Sequence, residues 1–123
     1  MLHRKAVYVV DDDPSMLKGM RRLLTQHGYD AVSFQTARAL ANHDNFDQAI
    51  CLVLDINLSD GSGIELRHQL AKKGVKVPVI YITGNDSDAT RMAAMASGCL
   101  AYLTKPFTAQ SLIEPIERAA ALV

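Results

Sequence analysis

Five short apolar runs punctuate the chain, and each is followed by the start signals of a helix. This alternation limits the fold more than any other feature of the sequence. Ala6–Val10 is continuous, β-branched and aromatic, with no polar residue at every second position. Such a run suits a strand covered on both faces, as in parallel sheets. Asp13-Pro14 then opens a helix, with Asp13 as N-cap and Pro14 at the first helical position. Leu17, Met20 and Leu24 form its apolar face, and Gly28 is the C-cap candidate. Asp30–Phe34 reads as a weaker second strand, and Thr36 caps a short helix through about His43. Ile50–Leu54 is the third strand. Ser62-Gly63-Ile64-Glu65 has the form of a capping box and opens the third helix, which Gly74 closes. Pro78–Ile82 is the fourth strand, followed by a helix from about Asp86 to Ser97 that stops at Gly98. Leu100–Leu103 is the fifth strand, and Thr108 caps a last helix to about Ala121. Pro115 falls inside that helix, where it removes a hydrogen bond at a cost of about 3 kcal/mol, so an irregular turn or kink is expected near Leu112–Pro115.

Short connections between alternating strands and helices predict an α/β fold, a five-stranded parallel sheet with helices on both faces. At 123 residues the chain reads as a single domain, residues 1–123. Lys plus Arg equals Asp plus Glu at 13 each, and the basic residues are scattered. A neutral chain is poorly suited to direct nucleic-acid binding, which rests on neutralising phosphates. No apolar run approaches the length of a membrane span, and the N-terminal apolar stretch is too short for a signal peptide, so a cytoplasmic location is expected. Cys51 and Cys99 read as two buried, reduced thiols. His3, His27, His43 and His68 show no metal-ligand spacing.

Polar residues collect at the carboxyl ends of the predicted strands. Asp11 and Asp12 follow the first, Asp55 the third and Thr83 the fourth, and Lys105 lies just past the fifth. In open parallel sheets this edge is where ligands bind. Two unit charges about 4 Å apart repel by about 4 kcal/mol at an effective dielectric near 20, so three crowded carboxylates call for a counter-charge. Oxygen ligands without soft partners favour Mg²⁺ or Mn²⁺. With one such ion and the Lys105 ammonium the cluster is formally neutral and has room for a phosphoryl group on Asp55. Taken singly, Asp13 is explained by its capping role, and Asp11 and Asp12 by a place before a helix N-terminus. Asn57 and Asn85 flank the site, where they would order or exclude an attacking water, or simply make turns. Asp60-Gly61 reads as a turn.

Val7-Tyr8-Val9-Val10-Asp11-Asp12-Asp13, Leu52-Val53-Leu54-Asp55, Ile80-Tyr81-Ile82-Thr83-Gly84 and Tyr102-Leu103-Thr104-Lys105-Pro106-Phe107 resemble the receiver domain of two-component response regulators. The resemblance covers essentially the whole chain. It implies a flavodoxin-like, doubly wound (βα)5 sheet of order 2-1-3-4-5. It further implies that Asp55 accepts a phosphoryl group from a sensor histidine kinase or phosphotransfer protein. Asp12, Asp55 and the backbone carbonyl of Asn57 would hold the metal, with Asp11 acting through a metal-bound water. Lys105 would pair with the phosphoryl group, Thr83 would be the switch hydroxyl and Tyr102 the aromatic that moves with it. Lys105-Pro106 would be a cis peptide that places the ammonium. The face of the fourth helix, fifth strand and fifth helix would serve a homodimer or another partner, and the chain would be either a stand-alone receiver or the front part of a regulator whose C-terminal DNA-binding output domain lies outside it. The chain would be a switch, not a turnover enzyme.

Two departures from the family pattern stand out. Ser59 replaces the usual proline four residues after Asp55, which would loosen the loop and bear on phosphoryl lifetime. Pro115 would bear on partner choice. Three rival readings carry their own signatures. A phosphohydrolase of haloacid-dehalogenase type needs an acid where this chain has Asn57. A flavodoxin-like nucleotide or flavin binder needs a Gly/Ser/Thr-rich loop where it has three acids. An inactive receiver-like interaction domain would have no need of Asp11, Asp12, Thr83 and Lys105 together.

Overall fold

A computed structural model describes residues 5–122. Five parallel strands form its main sheet: β1 (Ala6–Val10), β2 (Asp30–Phe34), β3 (Ala49–Asp55), β4 (Val79–Thr83) and β5 (Ala101–Thr104). Their spatial order is β2-β1-β3-β4-β5, the doubly wound order implied by the sequence. Every residue of β1, β3 and β4 is buried, which accounts for their unbroken apolar sequences. The edge strands β2 and β5 are only partly buried and correspondingly more mixed.

The helices are α1 (Pro14–Gln26), α2 (Ala37–Ala41), α3 (Gly63–Lys72), α4 (Asp88–Ala96) and α5 (Ala109–Ala120). Two hydrophobic layers separate them by face. Leu17, Met20 and Leu24 of α1 pack with Leu112, Ile113 and Ile116 of α5 against Val7, Val9, Val53 and Ile80. Leu40 of α2, Leu66 and Leu70 of α3 and Ala94 of α4 pack on the other face, against Tyr8, Leu52, Leu54 and Tyr81. Burying one such Leu or Ile stabilises the fold by about 1.5–3 kcal/mol. Because α1 and α2 lie on opposite faces, chain direction across the sheet reverses between β1 and β3. Their carboxyl ends therefore lie at the switch point, where open parallel sheets bind ligands.

Several local expectations are corrected. Helix α5 runs unbroken through Pro115, with no irregular turn. Pro115 is itself buried among the apolar residues of that helix, and this packing holds the helical path despite the lost hydrogen bond. Helix α4 begins at Asp88 rather than Asp86, because the Ser87 hydroxyl accepts from the Thr90 N–H and makes the N-cap. Helix α2 ends at Ala41, short of His43. Ser62 caps α3 by accepting from the Ile64 N–H at 3.1 Å, while Glu65 is exposed and returns no bond, so the cap is one-sided. Ser62 also pairs opposite Asn57 in a two-residue antiparallel hairpin, Asn57–Leu58 with Gly61–Ser62. Cys51 is buried, but Cys99 is only half-buried. His3 lies outside the described residues.

Candidate functional site

Sheet register delivers the polar residues to one place. β1 pairs Val10 with Leu54 of β3, so the next residues, Asp11 and Asp55, emerge side by side. β3 in turn pairs Asp55 with Ile82 of β4, and Thr83 pairs with Thr104 of β5. The backbone continues this order beyond the strands: the Lys105 N–H donates to the Thr83 carbonyl at 2.8 Å. The Lys105–Pro106 peptide is cis.

The Lys105 ammonium bridges two carboxylates, donating to Asp11 Oδ2 at 2.9 Å and Asp55 Oδ2 at 3.0 Å. Asp11 is wholly buried and Asp55 is 3% exposed, whereas Asp12 is exposed at the rim. Each remaining carboxylate oxygen has a fixed partner. Asp11 Oδ1 accepts from the Asp13 N–H at 2.9 Å, and Asp55 Oδ1 accepts from the Asn57 N–H at 3.0 Å. Burial pushes the Asp55 carboxyl above the usual carboxylate range; the Asn57 amide and Lys105 pull it back, and Asp11 adds to the rise. Burial alone would lower the affinity of Lys105 for its proton, but the hydrogen bonds and charges of Asp11 and Asp55 outweigh it and hold the ammonium above its ordinary value. Oxygen atoms of Asp11, Asp12 and Asp55 lie within 4.8 Å of one another. Three hard carboxylate donors at that spacing fit a small divalent cation and offer nothing soft to bind thiophilic metals.

Thr83 lies beside this cluster, fully buried. Its hydroxyl donates to Asn57 Oδ1 at 2.7 Å and accepts from the Asn85 N–H at 3.0 Å. Tyr102 is not gathered into the cluster. Its hydroxyl donates to Asp86 Oδ1 at 2.8 Å, out on the loop before α4. Arg91 pairs with the other Asp86 oxygen at 2.9 Å and places its guanidinium 4.7 Å from the centre of the Tyr102 ring.

Two further residues escaped the sequence reading. Asp60 is more than a turn residue: its carboxylate accepts from the Ala37 and Arg38 N–H groups at 2.9 and 3.0 Å, binding the hairpin that follows β3 to the start of α2. The segment carrying Ser59 is thus anchored beside the site. Those two amides hold the Asp60 carboxyl below its usual range. Gly63 sits with its Cα against β3, and an added Cβ would strike the Asp55 carbonyl oxygen and come within 3.1 Å of its carbon. The start of α3 thereby buttresses the backbone of Asp55.

The chain as a whole is similar to known proteins. The response regulator receiver domain family matches residues 7–117. Nodulation protein W of Bradyrhizobium diazoefficiens is 34% identical over 110 residues, which are 89% of this chain and 48% of that protein. Transcriptional regulatory protein FixJ of Rhizobium meliloti is 33% identical over 113 residues, 92% of this chain and 55% of the relative. The chain spans about half the length of these curated relatives. A crystal structure of FixJ-N superposes with a TM-score of 0.85 at 30% identity, covering 99% of this chain and 98% of that one. Among the described residues no helix is long and apolar enough to cross a membrane.

Proposed function

The chain belongs to the response regulator receiver domain family, and from that premise we propose that it is a phosphorylation switch of a two-component system in which Asp55 takes up the phosphoryl group. The observation that carries this reading is the shared contact of Lys105 with Asp55 and Asp11 at a sheet edge where three carboxylates converge. A receiver domain is a signalling module, and the reading assigns it no substrate to turn over.

In the proposed transfer a carboxylate oxygen of Asp55 attacks the phosphorus of a phosphohistidine on a sensor histidine kinase or phosphotransfer protein. An O–P bond forms and the P–N bond breaks; the histidine nitrogen leaves with the electron pair. Asp11, Asp12 and Asp55, with the backbone carbonyl of Asn57, would hold a Mg²⁺ or Mn²⁺ ion, which when bound supplies positive charge for the phosphoryl oxygens. Lys105 shifts from the carboxylate to a phosphoryl oxygen and balances the added negative charge. The Asn57 N–H on Asp55 Oδ1 fixes the carboxylate plane for attack. Thr83 has one hydroxyl proton, now given to Asn57; a phosphoryl oxygen is a stronger, charged acceptor and draws it away. Asn57 in place of a second acid leaves no general acid to drive repeated hydrolysis, which separates this site from a hydrolase nucleophile.

The partners proposed are the phosphodonor protein, a second copy docking through the α4–β5–α5 face, and a DNA-binding output domain outside this chain. The proposed setting is the cytoplasm, where such donors act. Incubation with acetyl phosphate and Mg²⁺ tests the core of the reading by intact mass. One phosphoryl group is gained by the native chain and none by Asp55→Asn. No gain, or a gain that survives the substitution, overturns it, as does sustained turnover of small phosphate esters.

A further inference from the structure

We propose that Asp86 and Arg91 form a latch that holds Tyr102 at the protein surface and so sets how readily phosphoryl uptake switches this chain. The inference rests on the receiver reading above and adds to it two residues with no place in the phosphoryl site.

The latch is a closed triangle. The Tyr102 hydroxyl donates to one Asp86 oxygen at 2.8 Å, Arg91 donates to the other at 2.9 Å, and the guanidinium lies over the Tyr102 ring at 4.7 Å. Both ends of the tyrosine are therefore engaged, its polar tip by a carboxylate and its ring face by a cation. Two of the three members flank the start of one element: Asp86 precedes the Ser87 N-cap of α4, and Arg91 lies in the first turns of that helix. The third lies across the gap on β5. The triangle thus ties α4 to the edge strand.

It also stands three residues from the switch hydroxyl. Thr83 ends β4, and its Oγ1 accepts from the Asn85 N–H at 3.0 Å, so the loop leading to Asp86 is fastened to the group that a phosphoryl oxygen would draw inward. On the strand side the Lys105 N–H is bonded to the Thr83 carbonyl, and Tyr102 lies three residues before Lys105. Any movement of Thr83 is felt from both directions by the Asp86–Tyr102 bond. All three side chains reach solvent, and exposed ion pairs of this sort are weak. That weakness suits a latch: it biases a two-state equilibrium without locking it, and a modest change in Thr83 is enough to release it. The Asp86 carboxyl is held below its usual range, chiefly by the tyrosine hydroxyl and then by Arg91, in keeping with a charged acceptor at the centre of the cluster.

Because the latch favours the state that phosphoryl uptake disfavours, linkage requires its removal to tighten binding at Asp55 by the same factor by which it frees Tyr102. The test uses the full 123-residue chain labelled with 3-fluorotyrosine, the Tyr102 ¹⁹F signal being the one lost in Tyr102→Phe. Beryllofluoride, a phosphoryl mimic, is titrated with Mg²⁺ present. In Asp86→Ala and in Arg91→Ala the unliganded Tyr102 signal moves toward its beryllofluoride-bound position. The beryllofluoride concentration for half-occupancy falls by about three- to tenfold in Asp86→Ala. The double variant goes little further than Asp86→Ala, since both residues act through one cluster. If the native chain responds but the variants titrate like it, or need more beryllofluoride, the latch is refuted and the receiver reading stands. If the native chain itself shows no beryllofluoride response, the receiver reading falls and takes the latch with it.

Discussion

Lys105→Met removes the only cation that touches the two buried carboxylates among the described residues, and its effect can be sized from the geometry. The ammonium lies 2.9 Å from Asp11 and 3.0 Å from Asp55, whose side chains are 0% and 5% exposed. A unit-charge pair about 4 Å apart at an effective dielectric near 20 is worth about 4 kcal/mol. Deleting one member of a buried pair costs about 3–5 kcal/mol, because the other is left uncompensated. The Lys105 side chain is itself 21% exposed, so water screens part of the interaction and the lower end applies. We expect a loss of about 3 kcal/mol, a large share of an ordinary domain stability of about 5–15 kcal/mol. With a urea slope near 2 kcal/mol/M the unfolding midpoint drops by about 1.5 M. Urea titrations with EDTA present, followed by far-UV circular dichroism, measure this without a divalent ion standing in for the lysine.

The loss also carries a pH signature. Burial already raises the Asp55 carboxyl above the ordinary carboxylate range in the native chain. A carboxyl that binds its proton more tightly folded than unfolded costs stability as pH rises from the ordinary range through the raised value, and the cost is complete above it. Without Lys105 the folded value rises further, so the deficit of the variant grows with pH across that window and is smaller near pH 4 than near pH 7. Asp55→Asn in the Lys105→Met background removes one of the orphaned charges and recovers at least about half of the loss. A deficit below about 0.5 kcal/mol at neutral pH, or one that is flat with pH, refutes the reasoning.

Gly63→Ala forces a methyl group against the Asp55 carbonyl on a central strand that cannot retreat, so the melting temperature falls by an amount equivalent to about 3 kcal/mol or more, read by calorimetry. Burial drives the Cys51 thiol up to about 12 and also raises that of Cys99, which is only half-buried, so a thiol reagent under native conditions modifies one cysteine first and the second only on unfolding; mapping the modified peptide identifies the first as Cys99. Asp60→Ala frees the hairpin after β3 from α2 and lowers the urea midpoint. Because the Asp60 carboxyl is depressed by its two amide donors, its contribution is present above the ordinary carboxylate range and fades as pH falls through the lowered value, so native chain and variant converge in acid.

The fold was legible because its strands leave little ambiguity. Ala6–Val10 and Asp30–Phe34 occupy the ranges expected of them, and the apolar runs put Asp11, Asp55 and Thr83 at strand ends. A strand end is a property of local sequence, so the acids of the site could be found without the tertiary structure. What escaped depends on residues far apart in the chain. The partners of Asp60 are 22 and 23 residues away, and no local pattern distinguishes its Asp-Gly from an ordinary turn. Asp86 looked like a helix start, yet Ser87 caps α4 and the carboxylate is turned instead toward Tyr102, 16 residues on. Pro115 misled for a related reason: propensity counts the missing hydrogen bond, but not the burial of the ring.

Asp55 as the phosphoryl acceptor is the claim on which the rest depends, and reductive trapping addresses it at the level of a single residue. Borohydride reduces an acyl phosphate to an alcohol, which turns a phosphorylated aspartate into homoserine. After treatment with acetyl phosphate and Mg²⁺, then borohydride, peptide mapping should find homoserine at position 55 and aspartate intact at positions 11 and 12. Homoserine at another aspartate, or aspartate alone at position 55 in a chain that has gained phosphoryl mass, contradicts the account.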